Sequence, residues 1–385
     1  MLVTSMKSIS ARVAKPHGSK VGSKVGSKVG SKVGSIFGSG EAFKLELSSK
    51  LSIGLGLLTS AFLVCAEPAS TPRATAGNSV YQTSAQHASM DNSATTVCEG
   101  ISLQVLGSGG PELDDGRAST SYLLWIDEKA KVLIDAGSGS SVQFGASGAD
   151  FTDVDTILLS HLHTDHAADL PSFIKGSYFT RRDTDLTVYG PAGNDLMPST
   201  QAYLDALIGK EGAFKYLSSY TQEGEDDYTV SAHTVADTTF STSISDDISI
   251  EAISVHHGPI PALAWKVTID KCVAVFSGDT NNADGTLANF AKHADVLVLH
   301  NAIEDIEKGA GSAATNLHMM PKQIIEIAKE SKAKRIVLSH IMKRSEAGLD
   351  GLTEAIAVIA PGRVFAAQDL MNIPLVSDLS SEEGR

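Results

Sequence analysis

The heptapeptide Ser160-His161-Leu162-His163-Thr164-Asp165-His166 constrains this chain more than any other stretch. It follows the apolar run Asp155-Thr-Ile-Leu-Leu159, which reads as a buried strand. Alternate residues of a strand share a face, so His161 and His163 are expected on one side. The turn beyond them brings Asp165 and His166 round to a second position nearby. A single histidine in a core is usually a packed, hydrogen-bonded residue. Four imidazole and carboxylate groups between positions 161 and 166 point instead to a metal. Such donors suit zinc, with manganese or iron as alternatives.

The 385 residues divide by composition. Residues 18–35 repeat Gly-Ser-Lys-Val, a flexible basic leader with no apolar face. Lys50 then precedes the apolar run Leu51–Val64, and Val64-Cys65-Ala66 closes it. A positive flank, a short apolar core and a small-residue end read as a signal peptide spanning the end of region 1–66. The run is shorter than the about 20 residues a membrane span needs, so no stable span is expected after cleavage. Cleavage after Ala66 predicts an exported protein, periplasmic or secreted. Lipid modification of Cys65 is the alternative, although Val64 is bulky where that signal wants a small residue.

Residues 67–97 are rich in Ala, Ser, Thr, Asn and Gln without periodicity and read as a disordered linker. The folded domain is expected over 98–377, with a flexible tail over 378–385. Of the 31 basic and 45 acidic residues, 9 and 2 fall within 1–66, leaving 22 basic against 43 acidic, a net of −21. An acidic body without a basic cluster disfavours nucleic acid as a partner. Cys98 and Cys272 survive cleavage, and both a bridge and two buried thiols are open.

Strand-like runs recur along the domain at Ile101–Leu106, Ser121–Ile126, Val132–Ile134, Ile157–Leu159, Leu186–Tyr189, Ile248–Val255, Leu263–Ile269, Val273–Phe276, Val296–Leu299 and Ile336–Leu338. Helical patterns interleave them at Ala168–Tyr178, near Ser199–Ile208 and at Pro321–Lys332. Two sheets with helices outside are expected. Several strand ends carry metal-donor chemistry: Val255-His256-His257-Gly258, Ser277-Gly278-Asp279-Thr280, and Ser339-His340. With the first cluster they make two donor sets, with Asp279 placed to bridge. That is the layout of a two-metal hydrolase, where a hydroxide forms near neutral pH.

These residues resemble the metallo-β-lactamase superfamily and, more narrowly, its ribonuclease Z and arylsulfatase-like branch. The motifs are Leu106-Gly-Ser-Gly-Gly-Pro111, Arg117 with Ser119–Leu124, Leu133-Ile-Asp-Ala-Gly137, the histidine cluster, His257–Trp265, Ser277-Gly-Asp-Thr280, Leu338-Ser-His340 and Ala366–Met371. The resemblance implies an α/β (α+β) fold, an αββα sandwich of two mixed sheets with helices on the outer faces. It implies His161, His163 and His257 on one zinc ion, and Asp165, His166 and His340 on the other, with Asp279 between them. Asp165 also orients the nucleophile, and His318 matches a histidine that protonates the leaving group. His257 is preferred to His256 because the Gly-Pro continuation follows it directly.

The chain also departs from that pattern. Where ribonuclease Z carries a His-Glu pair it has His300-Asn301, so the carboxylate that orients the proton donor is missing. The closing His-x-Ser-x-Arg-Tyr reads His340-Ile-Met-Lys-Arg344-Ser345, leaving Arg344 to contact an anionic substrate. Residues 190–247 show no Gly/Pro-rich basic arm to grip tRNA. The expected activity is hydrolysis of a small phospho- or sulfo-ester by a dinuclear zinc enzyme. A ribonuclease Z-type tRNA 3′ endonuclease is the alternative. A lactonase or other ester hydrolase, and a non-catalytic metal-binding protein, follow it. A homodimer is left open.

Overall fold

The computed structural model describes residues 98–236, 238–304, 313–360 and 363–375. The expected leader and signal peptide (1–66), linker (67–97) and tail (378–385) lie outside the described residues.

Three apolar strands, β1 (Ile101–Gly107), β2 (Ser121–Ile126) and β3 (Lys129–Ile134), open the domain as an antiparallel meander. The chain then alternates helices with parallel strands: α1 (Ser140–Ser147), β4 (Thr156–Leu158), α2 (Thr164–Ala167), α3 (Leu170–Ser177), β5 (Leu186–Pro191), α4 (Thr200–Ile208) and β6 (Val230–Val235). A second antiparallel run follows, with β7 (Thr239–Ser243), β8 (Ile248–His257), β9 (Ile260–Ile269) and β10 (Cys272–Phe276). It too passes into parallel strands between helices: α5 (Leu287–Phe290), β11 (Val296–His300), α6 (Ala313–Leu317), α7 (Pro321–Ser331), β12 (Arg335–Ser339), α8 (Lys343–Glu346), α9 (Leu349–Ile359) and β13 (Arg363–Ala366). Finally β14 (Asn372–Pro374) returns to pair with β1.

The result is two seven-stranded mixed sheets, ordered β14-β1-β2-β3-β4-β5-β6 and β13-β12-β11-β10-β9-β8-β7. Leu103, Val105, Tyr122, Leu124, Trp265, Val267 and Phe276 belong to one buried cluster fed by both sheets. The opposite faces carry separate clusters, one with Phe144, Phe173 and Leu204 from the helices, the other with Ile324, Ile327 and Ile356. Strands buried on both faces explain why β4, β10, β11 and β12 read as near-continuous apolar runs. The expected helix–sheet–sheet–helix layering is what the chain adopts.

Periodicity left several elements unread, among them β13, β14, α1 and α9, and two edge strands show why. Strands β6 (Val-Ser-Ala-His-Thr-Val) and β7 (Thr-Phe-Ser-Thr-Ser) are the outer strands at one edge, where small hydroxylated residues replace an apolar face. The expected strand Ile157–Leu159 ends at Leu158, so His161 and His163 are loop residues and strand alternation does not place them. The loop is held instead by the Trp265 indole, which donates to the Leu159 carbonyl at 3.0 Å from the opposing sheet.

Cys98 and Cys272 form a disulfide with Cα atoms 5.7 Å apart, joining the start of β1 to the start of β10. It closes a span of 174 residues, so its removal frees a long loop in the unfolded chain. Cys98→Ser with Cys272→Ser is expected to lower stability by about 2–4 kcal/mol, read as a drop in the urea midpoint. Metal content should not change, because the metal-donor residues follow strand ends rather than starts. An unchanged midpoint would contradict the pairing.

Candidate metal centre and active site

All the donor-bearing loops emerge at one end of the sandwich. β4, β10, β11 and β12 each run parallel to a neighbour, so the residues after their C-terminal ends gather at a common rim. His161–His166 follow β4, Asp279 follows β10, His300 closes β11, and His340 follows β12. His257 ends β8, and His318 lies between α6 and α7. Gly278 takes φ +57°, the left-handed turn that aims Asp279 inward, and a Cβ there would meet the Leu263 carbonyl at 2.7 Å. His340 itself adopts φ 54°. That conformation is uncommon for a residue with a side chain and is typical of functional turns.

Three imidazole nitrogens face one another in the first set. His161 Nε2 is 3.0 Å from His163 Nδ1, and His257 Nε2 is 3.4 Å from the same atom. The His257 ring is oriented by its Nδ1, which donates to the Leu317 carbonyl at 2.8 Å. In the second set Asp165 Oδ2 lies 3.6 Å from His166 Nε2 and 3.2 Å from His340 Nε2. Asp279 Oδ2 stands between the sets: 3.9 Å from His161 Nε2 and 3.8 Å from His257 Nε2, yet 3.5 Å from His166 Nε2 and 3.4 Å from His340 Nε2. Zinc–nitrogen bonds of 2.0–2.1 Å in a tetrahedron put ligands about 3.3 Å apart. The observed spacings match.

The chemistry of the donors fits a metal as well. His166 Nε2 is buried and has no hydrogen-bond partner, while its Nδ1 bonds to Asp135 Oδ2 at 2.8 Å. Burial lowers the pKa of His161, His163 and His257, which are thereby neutral and present lone pairs to a common point. Burial alone would raise Asp165 and Asp279. For Asp165 the neighbouring His166 and His340 outweigh it, and for Asp279 chiefly His340 and His166, so both carboxyls are held well below the usual range. Burial would also lower His166 and His340, but Asp279 and Asp165 push both up. In the metal-free chain these two protonated imidazoles supply the positive charge that the buried carboxylates require.

A pH dependence follows. The raised His166 and His340 stabilise the metal-free fold fully below about pH 6.5, and this contribution is lost as pH rises through their folded values. Zinc must displace those protons, so affinity should climb with pH. Calorimetry in buffers of differing ionisation heat should register proton release at pH 7, and proton-neutral uptake would contradict this charge assignment.

The other expected residues also reach this rim. Pro111, His163, Asp165, His257, Asp279, Leu317, His318, His340, Met342 and Arg344 line one cleft of about 180 Å³. His318 Nδ1 is 3.7 Å from Asp279 Oδ2 and has no hydrogen-bond partner. Burial holds its imidazole down at about 3. Arg344 is anchored through Nε to the Ala302 carbonyl at 2.7 Å. His256, the alternative to His257, turns away to Asn281 Oδ1 at 3.1 Å.

Two supporting groups were quoted from the sequence as motif positions without a role. Asp135 holds the cluster loop, accepting from the Ser160 amide at 2.6 Å and its hydroxyl at 2.7 Å, besides orienting His166. Its signal was present as a carboxylate before Ala-Gly at the end of an apolar strand. Gly137 must lack a side chain here, since a Cβ would fall 2.2 Å from the Asp165 carbonyl. His300 was noted only for the glutamate that does not follow it; in the fold it donates to Asp279 Oδ1 at 2.7 Å.

A rim of imidazoles and carboxylates spaced for metal, on a two-sheet sandwich, defines a metal-dependent hydrolase. The chain belongs to the beta-lactamase superfamily: a family model described as the beta-lactamase superfamily domain matches residues 130–341. Ribonuclease Z of Haloferax volcanii is 26% identical over 301 residues, spanning 69% of this chain and 92% of that protein. Ribonuclease Z of Mycobacterium marinum is 24% identical over 282 residues, spanning 71% and 98%. Among solved structures, the short form of human tRNase Z superposes with a TM-score of 0.53 at 20% identity, over 71% of this chain and 99% of that one. Relatives named ribonuclease Z weaken the expectation that disfavoured nucleic acid as a partner. No helix among the described residues is long and apolar enough to cross a membrane.

Proposed function

We propose that the chain hydrolyses a phosphodiester at a dinuclear zinc centre. Ribonuclease Z-type cleavage of RNA is the first substrate reading. The observation that carries it is a donor set built around Asp279 Oδ2 in a chain that spans nearly the whole length of ribonuclease Z relatives. His161, His163 and His257 would hold one ion, Asp165, His166 and His340 the other, and Asp279 both. Bound there, the ions supply a water activated near neutral pH and counter the charge developing on the phosphoryl oxygens. Asp165 orients that water, His318 offers its N–H to the leaving oxygen, and Arg344 offers its guanidinium to a non-bridging oxygen.

Specific observations favour a second reading, a small phospho- or sulfo-ester. Between His257 and Asp279 the chain makes only the compact β9 and β10. Residues 190–235 are occupied by α4, a 3₁₀ segment (Lys215–Thr221) and β6, which pack on the first sheet, rather than by a basic arm. The excess of acidic residues would slow encounter with a polyanion. Export, part of this second reading, accords with the disulfide and would part the enzyme from precursor tRNA.

The test is a substrate comparison with the zinc-loaded chain at physiological salt: precursor tRNA, bis(4-nitrophenyl) phosphate, an aryl sulfate, a phosphonate and a lactone. Turnover of the phosphodiester is expected. Endonucleolytic cutting of precursor tRNA selects the first reading, and small-ester turnover without it selects the second. Turnover of the lactone alone would overturn the proposal.

A further inference from the structure

We infer that His300 and Tyr122 are positioning residues for Asp279, fixing which carboxylate oxygen is offered to the metal ions; this rests on the metal-centre reading above. Asp279 is 1% exposed, and its two oxygens have separate surroundings. Oδ2 faces His161, His166, His257 and His340 at 3.4–3.9 Å. Oδ1 accepts from His300 Nδ1 at 2.7 Å. Without that bond the two oxygens of a carboxylate exchange by rotation of the group. With it, one oxygen is tied to the scaffold and the other is left for the ions.

The bond requires a particular tautomer. To donate from Nδ1, a neutral His300 must leave Nε2 as an acceptor. Tyr122 meets that need, its hydroxyl lying 3.1 Å from Nε2. Tyr122 comes from β2 and His300 from β11, so the arrangement crosses between the two sheets. Both residues are buried, Tyr122 at 0% and His300 at 2% exposure, and the His300 amide is itself held by the Ser277 hydroxyl at 3.2 Å. His300 lies close enough to His166, Asp279 and His340 to be taken for a fourth ligand. Its Nδ1 is taken by Asp279 Oδ1 and its Nε2 by Tyr122, a residue outside both donor sets, so neither ring nitrogen is left to face an ion. Hydrogen bonds to ligating carboxylates of this kind tune metal affinity.

The experiment measures zinc affinity of the full chain by chelator competition for wild type, His300→Ala, His300→Gln and Tyr122→Phe, with cobalt-substituted absorption spectra alongside. His300→Ala should weaken the more loosely held ion by roughly 10–100-fold and alter the cobalt spectrum. His300→Gln, whose side-chain amide can still donate to Oδ1, should recover most of the loss. Tyr122→Phe should show a smaller loss in the same direction, with a metal-free melting temperature near wild type. If His300→Ala does not fold, the Gln and Phe variants carry the test. Variant affinities equal to those of a wild type that holds two ions would overturn the inference. So would a Gln variant as impaired as Ala, which would mark His300 as a ligand. A wild type that binds no metal would instead overturn the metal-centre reading beneath it.

Discussion

Replacing Asp279 with Ala is expected to take bound zinc below two ions per chain and to slow phosphodiester hydrolysis by about 10³-fold or more. Among the described residues, Asp279 is the carboxylate whose single oxygen lies within 4 Å of donors from both sets. Its removal therefore loosens both positions at once, whereas loss of His163 touches one. The magnitude follows from the several kcal/mol of charge stabilisation that metal ions supply, at about 1.36 kcal/mol per tenfold in rate. The variant also strips a buried anion from beside His166 and His340, which lose one of the carboxylates that raise them. Elemental analysis and steady-state rates on one sample check both halves. Full activity with fewer than two ions would defeat the two-ion account.

His318→Ala should cut turnover by roughly 10²–10⁴-fold for esters with poor leaving groups. For nitrophenolate, which departs without a proton, the loss should be much smaller. Burial holds the free imidazole at about 3, so His318 enters the reaction neutral at pH 7. An anionic substrate places negative charge beside the ring and favours uptake of a proton from solvent; the imidazolium so formed passes that proton to the leaving oxygen and returns to the neutral ring. Rates on poor leaving groups should accordingly fall as pH rises through the value in the complex. Equal losses for both classes of leaving group would remove His318 from proton donation and leave it a role in packing the cleft.

Much of this fold and rim was legible because buried strands and donor chemistry leave strong local marks. Runs such as Val296–Leu299 and Ile336–Leu338 are apolar throughout, as doubly covered parallel strands must be, and each ends in a polar residue at the rim. The edge strands β6 and β7 carried no such mark, since half their surface meets water. The candidate donors could be read, because His-x-His-x-Asp-His is dense enough to stand out. The roles of residues that act through another residue could not. Asp135, Tyr122 and the Leu317 carbonyl reach His166, His300 and His257 from 31, 178 and 60 positions away in the chain, a proximity only the fold creates. The same holds for the cysteine pair, 174 residues apart.

Where metal sits decides the role of this rim most directly. Diffraction from zinc-loaded crystals, recorded on both sides of the zinc absorption edge, should show two anomalous peaks per chain. One should lie among His161, His163 and His257, the other among Asp165, His166 and His340, with Asp279 touching both. A single peak, or peaks away from this rim, would contradict it.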